Sequence, residues 1–266
     1  MTDAELALRA AAAGAEIVKG RFGGSFDQMD KGGGDFATDV DLASEAAIIQ
    51  IIRSERPHAS IRAEESGQSG RRDGGATWLI DPMCGTANFA ARTGPLAVNV
   101  AAMVDPPALT VAAVADPLAD EVYWSDGRAA AVRRGGTDDP LRPSAHSRLV
   151  DVNMDPPFPN QAWFQPHLMA GDPSFLDQFG LRVVSTTLAL TWVASGRRAA
   201  YVSDGWLAGS VHFAAPLAVC AAAGCVVTNL AGEPLHTGVG GLVAAADAET
   251  HRELMRTIRS VQRQPQ

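Results

Sequence analysis

The stretch from Trp78 to Phe89 constrains this chain more than any other. A short apolar run, Trp78 to Ile80, reads as the end of a buried strand. It delivers an acid, Asp81, followed by Pro82 and a turn, and Gly85 to Asn88 then look like the opening of a helix. Gly85 permits close backbone approach, and the free N–H groups of a first helical turn form an anion site. A carboxylate at a strand end beside a helix N-terminus is an arrangement that holds a divalent cation against a phosphate.

The same residues resemble the signature of the inositol monophosphatase superfamily, Asp-Pro-(Ile/Leu)-Asp-Gly-Thr-x-Asn-Phe. The match holds at Asp81, Pro82, Gly85, Thr86, Asn88 and Phe89, and it breaks at Cys84, which stands where the family has its second aspartate. Upstream, Asp35, Thr38 and Asp41 resemble the family's Asp-x-Val-Thr-x-x-Asp pattern leading into a long helix, with Ala37 at the valine position and Lys31 where the family keeps a lysine. Read without the family, Thr38 or Asp39 is simply a helix cap. Glu64 to Ser66 resemble the family's Gly-Glu-Glu-Ser, one strand ahead of Asp81. Further on, Val211 to Ala215 fall in register with the family's Trp-Asp-x-Ala-Ala, so that Val211 replaces the tryptophan and His212 the aspartate. The resemblance runs from Ala4 to about Val243.

Composition fits a soluble α/β protein: 46% of residues are hydrophobic and 20% charged, with no apolar run of membrane-spanning length. The opening residues lack the pattern of a signal peptide, so a cytoplasmic location is expected. A formal net charge of −8 argues against broad nucleic-acid binding. The three cysteines, Cys84, Cys220 and Cys225, have neither an even count nor metal-knuckle spacing, which speaks against a disulfide framework.

Ala4 to Gly20 and Leu42 to Arg53 have helical spacing, the second through Leu42, Ala46, Ile49 and Ile52. Gly23, Gly24 and residues Lys31 to Gly34 mark a flexible loop. Strands are expected at 59–62, 96–104, 109–117, 121–124, 129–133, 181–185 and 225–229, with a turn at 105–107. Helices are expected at 187–196 and 214–224. Proline-rich residues 137–173 read as a linker, which puts an N-terminal half at 1–145 and a C-terminal half, carrying His212, at 146–266.

The resemblance implies a layered α-β-α-β-α sandwich of two pseudo-domains, assembled as a homodimer. It also implies Mg²⁺-dependent hydrolysis of a small sugar, cyclitol or related phosphate monoester, a small anionic metabolite. Carried over residue by residue, Glu64, Asp81 and the carbonyl of Met83 hold the first ion, while Thr86 and Asp41 help activate water. Gly85 and Thr86 would bind the phosphate, and Lys31 and Ser185 lie on the substrate side. The second ion would fall to Asp81, Cys84 and His212, two of which have left oxygen chemistry. Three readings follow. A thiolate and an imidazole would hold a softer Mn²⁺ or Zn²⁺ in a surviving phosphatase. Alternatively, with no metal at that position, Cys84 and His212 would form a nucleophilic pair for acyl transfer, cyclisation or elimination. In the third reading the protein is an inactive binding or regulatory partner.

Overall fold

Thr2 starts the first helix with a capping box: its side chain accepts the N–H of Glu5, and the Glu5 carboxylate accepts the N–H of Thr2. In the computed structural model, which describes residues 1–71, 75–103 and 110–262, the chain forms two compact units. The first comprises Met1–Pro140 together with Thr186–Leu188 and Val211–Ala222, and the second takes the remaining segments. A single cut near residue 145 is therefore too simple, because the segment carrying His212 returns to the first unit.

The first unit opens with α1 (Asp3–Arg21), a hairpin of β1 (Gln28–Gly32) and β2 (Asp35–Thr38), and α2 (Asp39–Glu55). The glycine-rich stretch is thus not a loose loop. Gly33 and Gly34, both at positive φ, make the tight connection between two paired strands. Next come β3 (Ser60–Ala63), β4 (Gly67–Ser69), β5 (Thr77–Cys84), the short helix α3 (Thr86–Ala90) and β6 (Ala97–Met103). The unit's long first segment ends with β7 (Thr110–Asp116), β8 (Glu121–Ser125), β9 (Ala130–Arg134) and β10 (Thr137–Pro140). Strands β3 to β10 form one eight-stranded sheet in the order β10-β9-β8-β7-β6-β5-β3-β4. Only the β3–β5 pair is parallel. The turn expected at 105–107 lies outside the described residues.

Helices α1 and α2 pack on each other, and at Gly14 a Cβ would come 2.7 Å from Ser44 Oγ and 2.8 Å from Ile48 Cδ1. The buried face of α2 is Val40, Asp41, Ser44, Glu45, Ile48 and Ile52. Of the expected apolar stripe only Ile52 is fully buried, while Leu42 and Ala46 are exposed. The inward face is polar because it serves the neighbouring backbone. Ser44 donates to the carbonyl of Pro82, and Glu45 accepts the N–H groups of Glu65 and Ser66, both at 2.8 Å.

The second unit holds β11 (Leu149–Val152), α4 (His167–Ala170), α5 (Pro173–Gln178) and β12 (Gly180–Val183), then α6 (Leu188–Ala194) from its second residue, and β13 (Ala200–Ser203). After α7 (Ala214–Ala223), nearly all of which belongs to the first unit, it resumes with β14 (Val226–Thr228), β15 (Leu242–Ala245) and α8 (Ala248–Val261). Its sheet runs β12-β11-β13-β15-β14. The expected linker at 137–173 therefore contains β10, β11 and α4. Its prolines sit at a strand end, in the loops between elements and, at Pro173, in the first turn of α5, where a missing N–H costs little.

Candidate metal centre

Strand β5 does not stop at Ile80. It continues through Asp81 to Cys84 with a break in its register against β6, and this bulge turns the following residues out of the ladder. Gly85, at φ 110°, then starts α3. A Cβ there would lie 2.9 Å from Thr186 Cγ2 and 3.0 Å from the carbonyl oxygen of Pro95, so glycine is required on both counts. Asn88 donates to that same carbonyl, and Phe89 is buried edge-on between Phe22 and Phe26, which anchors the short helix. With five residues α3 is little more than one turn, a weaker anion site than the sequence suggests.

Three of the expected residues meet at the end of β5. Ligand atoms of Glu64, Asp81 and His212 all lie within 4.8 Å of one another. Asp81 is fully buried. Its Oδ2 is 2.8 Å from His212 Nδ1 and accepts the Asn99 amide at 3.1 Å, whereas its Oδ1 is buried with no hydrogen-bond partner among the described residues. Glu64 Oε2 is 3.9 Å from the imidazole, and its Oε1 takes the Lys31 ammonium at 3.0 Å. Lys31 also pairs with Glu65 at 2.6 Å.

Burial, and then the charge of Asp81, hold the Glu64 carboxyl well above the usual carboxylate range. Burial disfavours the His212 imidazolium, but the Asp81 charge, the hydrogen bond to it and the Glu64 charge outweigh that and raise its pKa to about 9. Desolvation also opposes charge on Lys31, and its two glutamate partners more than offset this, so it stays firmly protonated.

Asp41 and Thr86 come together as expected, with Thr86 Oγ1 3.1 Å from Asp41 Oδ1 and 3.2 Å from the Met83 carbonyl oxygen. Thr38 is the cap of α2, and its N–H and hydroxyl both donate to Asp41 Oδ2, at 2.7 and 2.6 Å. Burial raises the Asp41 pKa.

Cys84 departs from expectation. Its sulfur accepts the N–H of Thr187 at 3.3 Å, and it is not one of the three clustered ligands. Among the described residues His212 pairs with Asp81 and Glu64, and the Cys84 sulfur takes the Thr187 N–H rather than a hydrogen bond to the imidazole. Burial pushes the thiol far up, and the Asp81 and Glu64 charges push the same way. Ser185 lies in the second unit, between β12 and α6. Asn99 is the residue the sequence reading missed, for a lone asparagine in the apolar run of β6 carries no signal until the strand register sets it opposite Asp81.

Two acids and a histidine around an unpartnered buried carboxylate oxygen fit a divalent cation. The mixed oxygen and nitrogen donors suit Mn²⁺ or Zn²⁺ as well as the harder Mg²⁺. Fold and site together define a mixed α/β protein with a candidate divalent-cation centre. The chain belongs to the inositol monophosphatase family, whose model matches residues 2–263.

Curated relatives include the inositol-1-monophosphatase of Caulobacter vibrioides, 26% identical over 175 residues that span 63% of this chain and 66% of that protein. Another is the Nus factor SuhB of Escherichia coli (strain K12), 43% identical over 74 residues, where the match covers 28% of this chain and only 28% of the relative's length. Among solved structures, an inositol monophosphatase from Anabaena (Nostoc) sp. PCC 7120 superposes with a TM-score of 0.76 at 25% identity, covering 98% of this chain and 96% of that one.

Proposed function

We propose that this chain is a metal-dependent phosphomonoesterase acting on a small sugar, cyclitol or related phosphate monoester, with Glu64, Asp81 and His212 as its ion-holding side chains. The observation that carries this reading is the fully buried Asp81 carboxylate, whose Oδ1 lacks a partner while Glu64 and His212 stand beside it. An anionic oxygen left without a donor in the interior is costly, and a cation relieves that cost. The ion would supply Lewis acidity toward the phosphoryl oxygens.

The remaining work falls to this chain's own groups. Thr86 can give its hydroxyl proton to Asp41 while accepting one from a water, and the Asp41 pKa, raised by burial, suits it to receive that proton. Lys31 supplies a fixed positive charge toward an anionic substrate. With one acid of the family pattern replaced by a thiol and another by an imidazole, fewer carboxylates face the phosphate. The nucleophilic-thiol reading is not retained, because the Cys84 sulfur takes the Thr187 N–H, has no imidazole hydrogen bond among the described residues, and burial opposes its thiolate. The family reading makes a homodimer the expected assembly.

The test is titration of chelator-stripped protein with Mn²⁺, Zn²⁺ and Mg²⁺ by calorimetry, alongside phosphate release from a panel of sugar and cyclitol monophosphates. Saturable binding lost in Glu64→Gln, with ion-dependent phosphate release, is the expected result. Absence of both binding and release with all three ions overturns the reading.

A further inference from the structure

Strand β6 is apolar and buried along nearly its whole length, yet it carries one fully buried amide, Asn99. Ladder pairing sets Asn99 directly across from Asp81, at the last regular pair before the β5 bulge. Its Nδ2 donates twice, to Asp81 Oδ2 at 3.1 Å and to Thr187 Oγ1 at 3.0 Å. Thr187 in turn offers its N–H to Cys84. One side chain therefore connects the Asp81–His212 contact with the position of Cys84, the two places where the family's aspartates have been replaced. The amide Oδ1 is buried without a partner among the described residues, a cost that a valine or alanine in this strand would avoid.

We propose that Asn99 is the positioning residue of the centre. Its amide grips Asp81 by Oδ2, so that Oδ1 is presented as the free ligand atom, and it holds Thr187 in place against Cys84. The metal-binding part of this inference rests on the reading given above. Geometry supports assigning the role to Asn99, because it is the donor to Asp81 that does not itself belong to the ligand cluster. When an ion takes up the His212 nitrogen, Asn99 still constrains the carboxylate. Without it a buried carboxylate on a bulged strand end is free to change rotamer, and misplacing a ligand weakens binding without any change in the ligand set.

The experiment compares wild type with Asn99→Val, which suits an apolar strand, and Asn99→Thr, which restores a donor. In metal-free protein, ring ¹⁵N resonances of His212 and the alkylation rate of Cys84 are recorded. In the titrated protein, the Mn²⁺ dissociation constant is measured. Asn99→Val should keep or raise the melting temperature, shift or broaden the His212 signals, and speed Cys84 alkylation several-fold. It should also weaken Mn²⁺ by about tenfold or more, the range typical when a hydrogen-bond partner of a metal ligand is removed, and Asn99→Thr should recover part of each effect. A purely structural role predicts a lower melting temperature with unaltered His212 signals and Mn²⁺ affinity, and that result overturns the proposal. If the wild type binds none of the tested ions, the metal reading fails, while the two metal-free measurements still decide whether Asn99 positions Asp81 and Thr187. Should Asn99→Val not fold, Asn99→Thr and Asn99→Ser carry the same comparison.

Discussion

Nδ1 of His212 lies 2.8 Å from Oδ2 of Asp81, across 131 residues of sequence. An imidazole raised to a pKa of about 9 is cationic near neutral pH, so in the absence of an ion it partly neutralises the acids around it. Metal uptake must displace that proton. Binding of Mn²⁺ or Zn²⁺ should therefore release a proton and strengthen as pH rises toward about 9, which calorimetry in buffers of different ionisation enthalpy detects. His212→Asn should reduce the proton release, leaving the share that the raised Glu64 carboxyl gives up.

Asp81→Asn and Glu64→Gln keep shape and discard charge. Each should reduce ion-dependent phosphate release by about 100-fold or more, since on the proposed reading the ion would supply most of the catalytic charge. Undiminished release in either variant, or in strong chelator, would contradict the mechanism.

Restoring acids at both replaced positions, Cys84→Asp with His212→Asp, should move ion preference toward Mg²⁺, because hard carboxylates favour that ion and an imidazole does not. The measurement is relative phosphate release with Mg²⁺ and Mn²⁺ at matched concentrations. An unchanged ratio would show that these side chains do not set ion choice.

The Cys84 thiol should alkylate slowly at neutral pH, since burial and two carboxylates oppose its thiolate. Cys84→Ser should retain phosphate release within about threefold if the thiol is not a nucleophile. Loss of all activity in that variant would revive the discarded chemistry.

In the second unit, His251 Nε2 sits 2.8 Å from Thr228 Oγ1, and burial, followed by the charge of Arg259, lowers its pKa below the ordinary 6.5. A depressed folded-state pKa means that the neutral form is favoured in the native protein. This contribution to stability is present above 6.5 and is lost as pH falls through the folded value. His251→Gln should flatten that acid-side loss in denaturant midpoints measured from neutral pH downward.

Much of the site was legible because its residues sit in short local patterns. Asp81 to Phe89 and Thr38 to Asp41 announce a strand end, a glycine turn and a capped helix, and the structure builds each of them. The face of α2 was misread because hydrophobic periodicity registers only apolar burial. Here Ser44 and Glu45 turn inward to bond the backbone, and Leu42 is left outside. The Gly33–Gly34 hairpin was available in principle, because paired glycines between short segments favour a two-residue turn. Asn99 and the contact of Cys84 with the Thr187 N–H were not available. Both depend on strand register and side-chain direction, which spacing along the chain does not encode.

The Glu45 carboxylate clasps the main chain at Glu65 and Ser66 from a helix that supplies no ion-holding side chain to the centre. Glu64, one residue upstream, has little independent freedom, because its backbone is splinted to α2 and the reach of its side chain moves with the axis of that helix. The seam at Gly14 then acts as a distant lever. A methyl group there would crowd Ser44 and Ile48, so Gly14→Ala should disturb α2 and, through Glu45, the backbone next to Glu64. The tolerances of the ion site are thus inherited from the helical layer, and a loss of capture can originate in a residue with no side chain to offer.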